Sequence, residues 1–122
     1  MASLIVIQGS EPGKRFELGN RTLSIGREPA RDVQLVDPKV SRKHALIRRE
    51  GDAYLISSAK ALNGIVINGK AVDAEIRLKE GDEILMGDTM LCFTESSDPN
   101  VTNAVFARKV VNRDVREKNT IM

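Results

Sequence analysis

Ile65-Val66-Ile67-Asn68-Gly69-Lys70-Ala71-Val72 is the stretch from which the fold of this chain is read. Three stiff β-branched residues run up to an Asn-Gly pair, and a second short run leaves it. Branching at Cβ favours the pleated, half-buried geometry of a strand. Asn-Gly suits both positive-φ positions of a type I′ turn, so Ile67-Asn68-Gly69-Lys70 predicts a two-residue β-hairpin. The same rhythm extends in both directions. Turn signals recur at Gly9, Gly13, Gly19-Asn20, Gly26, Gly51-Asp52, Asn63-Gly64, Gly81-Asp82 and Gly87-Asp88. Between them lie short runs at Leu4–Ile7, Arg15–Leu18, Thr22–Ile25, Ala45–Arg48, Ala53–Ile56, Glu83–Met86 and Met90–Thr94. Several alternate: Leu23 and Ile25 against Thr22 and Ser24, and Leu91 and Phe93 against Cys92 and Thr94. Many short strands with frequent turns predict an antiparallel sandwich or barrel.

The composition agrees with one domain. The chain has 122 residues, 41% of them apolar and 30% charged, too hydrophobic for a wholly disordered protein. No unbroken apolar run exceeds four residues, the first being Leu4–Ile7, whereas a membrane helix needs about 20 apolar residues, so no membrane association is expected. No basic residue precedes that run and Gln8-Gly9-Ser10-Glu11 ends it early, so no secretory signal is expected. The single cysteine, Cys92, cannot form an internal disulfide, which favours a reducing compartment and a cytoplasmic location.

The net charge of +2 is unevenly placed. Residues 1–95 carry 14 basic and 14 acidic side chains, while residues 96–122 carry five basic and three acidic ones. A neutral body lacks the basic stripe that nucleic-acid binding requires, and four aromatic residues cannot build a base-stacking platform. The texture changes at Ser96-Ser97-Asp98-Pro99-Asn100, which reads as a boundary between a domain at 1–96 and a tail at 97–122. Asp98 suits a helix N-cap and Pro99 the first helical position. Beyond them Val101, Ala104, Val105, Ala107, Val111 and Val115 fall largely at helical spacing, so the tail is expected to be partly amphipathic helix.

One set of residues points to chemistry. Gly26-Arg27, Ser41-Arg42-Lys43-His44 and Asn63-Gly64 lie at or beside the ends of expected strands. Loops at one end of a sandwich cluster in space, so these residues can converge. Two guanidinium forks, a hydroxyl donor and loop amides suit a phosphate dianion. An asparagine can grip both sides of an extended peptide backbone. No enzyme is expected. Asp37, Ser41 and His44 lie within eight residues of one loop, with no Gly-x-Ser-x-Gly elbow to present a nucleophile. His44 has no second His or Cys nearby, so neither a metal nor another cofactor is expected. Asn68-Gly69 reads as a turn former alone, and Arg48-Arg49 as a solvated strand end.

The ordered set Gly26-Arg27, Asp32-Val33-Gln34-Leu35, Ser41-Arg42-Lys43-His44-Ala45, Asn63-Gly64, Val66-Ile67-Asn68-Gly69 and Gly81-Asp82 resembles the forkhead-associated (FHA) domain over about residues 4–95. The resemblance implies an all-β, two-sheet antiparallel sandwich of about 11 strands that binds phosphothreonine peptides. Arg27, Ser41 and Arg42 would hold the phosphate, and Asn63 the peptide backbone. Gly26, His44 and Gly64 would be structural, with His44 bracing the loops beneath the site. Lys39 and Leu62 would bear on specificity, with Lys39 reading an acidic side chain three residues after the phosphothreonine. The chain departs from the family pattern at Ala61-Leu62, which lack the usual hydroxyls. The implied function is a non-catalytic phosphothreonine reader downstream of a Ser/Thr kinase. The altered loop keeps a second reading open, a phosphorylation-independent interaction domain forming the N-terminal regulatory part of a larger signalling or transcription-regulatory protein. Thr102 and Thr120 lie in the tail and are candidates for phosphorylation, which would make the tail an intramolecular ligand.

Overall fold

A computed structural model describes residues 2–9, 11–59 and 64–95. The described residues form β1 (Ser3–Gln8), β2 (Arg15–Glu17), β3 (Leu23–Gly26), β4 (Val33–Gln34), β5 (Ala45–Glu50), β6 (Ala53–Ser58), β7 (Ile65–Ile67), β8 (Lys70–Val72), β9 (Ile76–Arg77), β10 (Glu83–Met86) and β11 (Thr89–Thr94). One sheet has the order β2-β1-β11-β10-β7-β8 and the other β4-β3-β5-β6-β9. The two sheets make the expected all-β sandwich. Its pairings are antiparallel except that β4 lies parallel to β3, with Ile25 opposite Val33.

The core is built by alternation. Leu4 and Val6 of β1, Ile25 of β3, Ile47 of β5, Ile56 of β6, Ile84 of β10 and Leu91 and Phe93 of β11 are all buried between the sheets. Each such side chain contributes about 1.5–3 kcal/mol relative to the exposed state. Tyr54 meets Phe93 at a tilted angle of 56°, with ring centroids 5.8 Å apart. The alternating pattern read for β11 does not hold, since Cys92 and Thr94 are as buried as Leu91 and Phe93. β11 lies between β1 and β10, and Ser3 and Ile5 of the neighbouring β1 are buried as well.

The hairpin at Asn68-Gly69 forms as the turn chemistry predicts, with φ of 51° and 83°. Asn68 does more than turn the chain. Its Oδ1 accepts from Glu83 N at 2.9 Å and its Nδ2 donates to Asp82 Oδ1 at 2.9 Å, which ties the β7–β8 hairpin to β10. Arg48 is also more than a solvated strand end. Its Nε and Nη2 donate to the two carboxylate oxygens of Glu75 at 2.7 and 2.8 Å, joining β5 to the approach of β9. This fork holds the Glu75 carboxyl below its usual range.

The registers bring several loops to one end. Ile25 pairs with Ala45, and Ala45 with Ser58. The ends of β3 and β6 and the start of β5 therefore lie together. In the opposing sheet Ile67 pairs with Ile84 and Met86 with Thr89, which puts the start of β7 and the β10–β11 turn at a common end. The two ends meet where Gly87 closes on Lys39 and Val40.

Candidate functional site

Gly26 ends β3 against the loop that precedes β5. A Cβ at this position would lie 2.1 Å from the carbonyl oxygen of Arg42, so no larger residue fits without moving that loop. The close approach lets the two segments bond directly. Arg27 N donates to Ser41 O at 3.0 Å, and Arg27 Nε donates to Val40 O at 3.0 Å. The Arg27 carbonyl accepts from Gln34 Nε2 at 3.3 Å. The exposed guanidinium is thus fixed at Nε, and Arg27 forms no ion pair among the described residues. Arg42 is exposed and likewise without an ion-pair partner among the described residues.

His44 is fully buried directly below. Its Nδ1 accepts from Ser41 N at 3.0 Å, so the ring proton resides on Nε2, which donates to Gly64 O at 2.5 Å. Its backbone adds two bonds, His44 N to Ile25 O at 2.8 Å and Ala59 N to His44 O at 3.0 Å. One side chain therefore couples the Ser41 loop to the start of β7. Both ring nitrogens are committed to backbone groups, and the Asp37 carboxylate bonds elsewhere, so the hydrolase arrangement does not form.

Asp37 was no part of the phosphate reading, yet it organises the loop. It is buried, with 5% of its surface exposed. Oδ1 accepts from Lys39 N at 2.9 Å, and Oδ2 accepts from Asp88 N at 2.9 Å and Thr89 Oγ1 at 2.7 Å. Burial alone pushes its carboxyl up. The donors Thr89, Lys39 N and Asp88 N, with the Lys39 charge, together outweigh that and hold it below the usual aspartate range. Asp32 is held low for a related reason. It accepts from Ser24 N at 2.9 Å, which outweighs burial, and Arg21 Nη2 adds a bond at 3.0 Å.

The structure thus brings Gly26, Arg27, Ser41, Arg42, His44 and Gly64 to one end of the sandwich. Lys39 lies in the same loop with its Nζ 3.5 Å from Asp88 Oδ1, both side chains largely exposed. Asn63, Ala61 and Leu62 lie outside the described residues, as do the tail, its expected helix, Thr102 and Thr120. An open recess lined by Ala2, Arg49, Asp52, Tyr54 and Glu95 sits at the other end, away from these groups. Among the described residues no group of three or more His, Cys, Asp and Glu could hold a metal ion, and no helix is long and apolar enough to cross a membrane.

Comparisons with known proteins converge on one family. Residues 5–97 match the model of a family described as the cytoplasmic domain of the inner membrane component of type III secretion systems, which is of FHA type. The chain is 40% identical over 96 residues to an oxoglutarate dehydrogenase inhibitor of Corynebacterium jeikeium, covering 79% of this chain and 66% of that protein. It is 39% identical over 105 residues to the glycogen accumulation regulator GarA of Mycolicibacterium smegmatis, covering 84% of this chain and 66% of that one. The chain thus spans just under two thirds of the length of these relatives. Among solved structures, a chain from a study of phosphothreonine-dependent FHA domain interactions superposes with a TM-score of 0.72 at 29% identity, covering 80% of this chain and 98% of that one.

Proposed function

Because the chain belongs to the forkhead-associated family, we propose that residues 1–96 form a phosphothreonine-reading module that acts by binding and not by catalysis. The observation that carries the proposal is the double tie between Arg27 and the Val40-Ser41 backbone. It holds a guanidinium and a serine loop in one geometry before any ligand arrives. Arg27 and Ser41 would grip the phosphate, with Arg42 beside them. Each charge-assisted bond to the dianion contributes roughly 1.5–3 kcal/mol. Asn63 would hold the peptide backbone, and His44 with Gly26 and Gly64 would brace the loops.

The relatives' names support the wider role. One is an inhibitor of oxoglutarate dehydrogenase and the other a regulator of glycogen accumulation. This chain would likewise regulate a protein partner through a phosphothreonine supplied by a Ser/Thr kinase. The same reading assigns it to the cytoplasm, where such kinases act and where the buried thiol of Cys92 stays reduced.

The test is isothermal titration against a phosphothreonine peptide library, with phosphoserine and unphosphorylated twins of the best binder. A buried methyl accounts for about 0.8 kcal/mol, or roughly four-fold in affinity. Restriction of the β-branched side chain adds to this, so more than four-fold preference for phosphothreonine is expected. Arg27→Ala and Ser41→Ala should each remove most of the binding with the fold intact. Equal affinity for the unphosphorylated twin would favour the second reading, a phosphorylation-independent interaction domain, to which the hydroxyl-free Ala61-Leu62 loop is suited.

A further inference from the structure

The loop carrying Ser41 is held by more than its neighbours in sequence. Asp37 N donates to Leu35 O at 3.0 Å, and Asp37 O accepts from Val40 N at 2.9 Å, which makes a tight turn over Pro38 and Lys39. The buried carboxylate closes the same turn through Lys39 N. Its other oxygen reaches across 51 and 52 positions of sequence to Asp88 N and Thr89 Oγ1 at the β10–β11 turn. Gly87 completes the seat. A Cβ there would lie 3.0 Å from both Lys39 C and Val40 Cγ2, so the loop rests directly on that turn. The residue at the end of this chain of contacts is Val40, whose carbonyl fixes Arg27 Nε.

We propose that Asp37 is a positioning residue for the phosphate clamp, anchoring the Pro38–Ser41 loop to the opposite sheet at Gly87–Thr89 so that Arg27 and Ser41 are preset for the ligand. The inference rests on the phosphothreonine reading and adds to it a residue that touches no ligand. It follows from the physics of a buried carboxylate. Such a group is costly to bury unless its oxygens are satisfied, and here three donors satisfy it, one from its own turn and two from the distant β10–β11 turn. The stable state is therefore the one in which the loop is docked. Without the anchor the loop samples other positions, and apparent affinity falls with the fraction of molecules that keep the clamp assembled.

The experiment compares Asp37→Asn, Asp37→Ala and the milder Thr89→Val in the full chain. The control is the core variant Ile56→Val, which lowers stability without touching the loop. Two readouts are taken, the affinity for the best phosphothreonine peptide and the NMR signal of Arg27 Nε–H in the free protein. A loop docked about a tenth of the time lowers affinity about ten-fold. We expect that loss for Asp37→Ala and smaller losses for Asp37→Asn and Thr89→Val. The Arg27 Nε–H signal should broaden or exchange faster in the same order. Ile56→Val should leave both readouts unchanged. Unchanged affinity and an unchanged Nε–H signal in Asp37→Asn would overturn the proposal, whatever its loss of thermal stability. If Asp37→Ala fails to fold, Thr89→Val decides by the same two readouts. If the wild-type protein itself binds no phosphopeptide, the functional reading fails, and the Nε–H signal alone then judges whether Asp37 sets the loop.

Discussion

Replacing Gly26 by alanine tests the architecture of the site through one added methyl group. The new Cβ would stand 2.1 Å from Arg42 O, 2.8 Å from Arg42 C and 3.1 Å from Arg31 Cγ. Carbon and oxygen repel steeply at such distances, so the Arg42 carbonyl must retreat by about 1 Å. Gly26 cannot retreat instead, because Ile25 beside it is buried and paired on both sides, with Ala45 and with Val33. The displacement falls on the Arg42 segment and strains the bond from Arg27 N to Ser41 O, now 3.0 Å. Overpacking of this kind costs about 1–3 kcal/mol in stability. A clamp opened enough to lose one charged bond should weaken phosphopeptide binding about ten- to hundred-fold. Gly69→Ala is the matched control. It meets no atom within 4 Å, but its φ of 83° is left-handed, so it should cost about 1–2 kcal/mol in stability and leave binding unchanged. Urea denaturation at constant m gives the stability, and isothermal titration gives the affinity. A Gly26→Ala protein that binds like the wild type would refute the claim that this approach sets the clamp.

Two further outcomes are expected. The Asp37 carboxyl is held below its usual value of 3.8, so the folded state binds its proton less readily than the unfolded chain. Its contribution to stability is present above the unfolded pKa and is lost as pH falls through the folded one. The stability gap between the wild type and Asp37→Asn should therefore be flat at neutral pH and shrink below about pH 4 in parallel urea titrations; a gap that widens with acid would contradict the hydrogen-bond accounting. The third concerns Lys39, which Asp88 partly neutralises at 3.5 Å. Wild-type preference for an acid three residues after the phosphothreonine should be weak. Asp88→Asn should strengthen it by about 0.2–1 kcal/mol at low salt, an effect that shrinks as salt rises. An oriented peptide library that shows the same optimum for both proteins would remove Lys39 from the specificity account.

Local chemistry determined the strand content. β-branched runs, Asn68-Gly69 and the recurrent glycines act within a few residues, so nine of the strands and the type I′ turn could be read directly. β4 and β9 have two residues each, too short to show a period, and they exist because β3 and β6 offer an edge to pair with. The order of motifs from Gly26 to Asn63-Gly64 also marked the end of the sandwich where the candidate site lies. Tertiary structure decided what that order could not show. Cys92 and Thr94 lie opposite Ile5 and Ser3 of β1 and all four are buried, a matter of tertiary packing and not of alternation. The tautomer of His44 depends on Ser41 N and Gly64 O meeting one ring. The role of Asp37 depends on donors more than fifty positions away. In sequence Asp37 is one more acidic turn residue before a proline; only the packing of one sheet end on the other removes it from water, and a buried charge must then bind whatever donors the fold brings within reach.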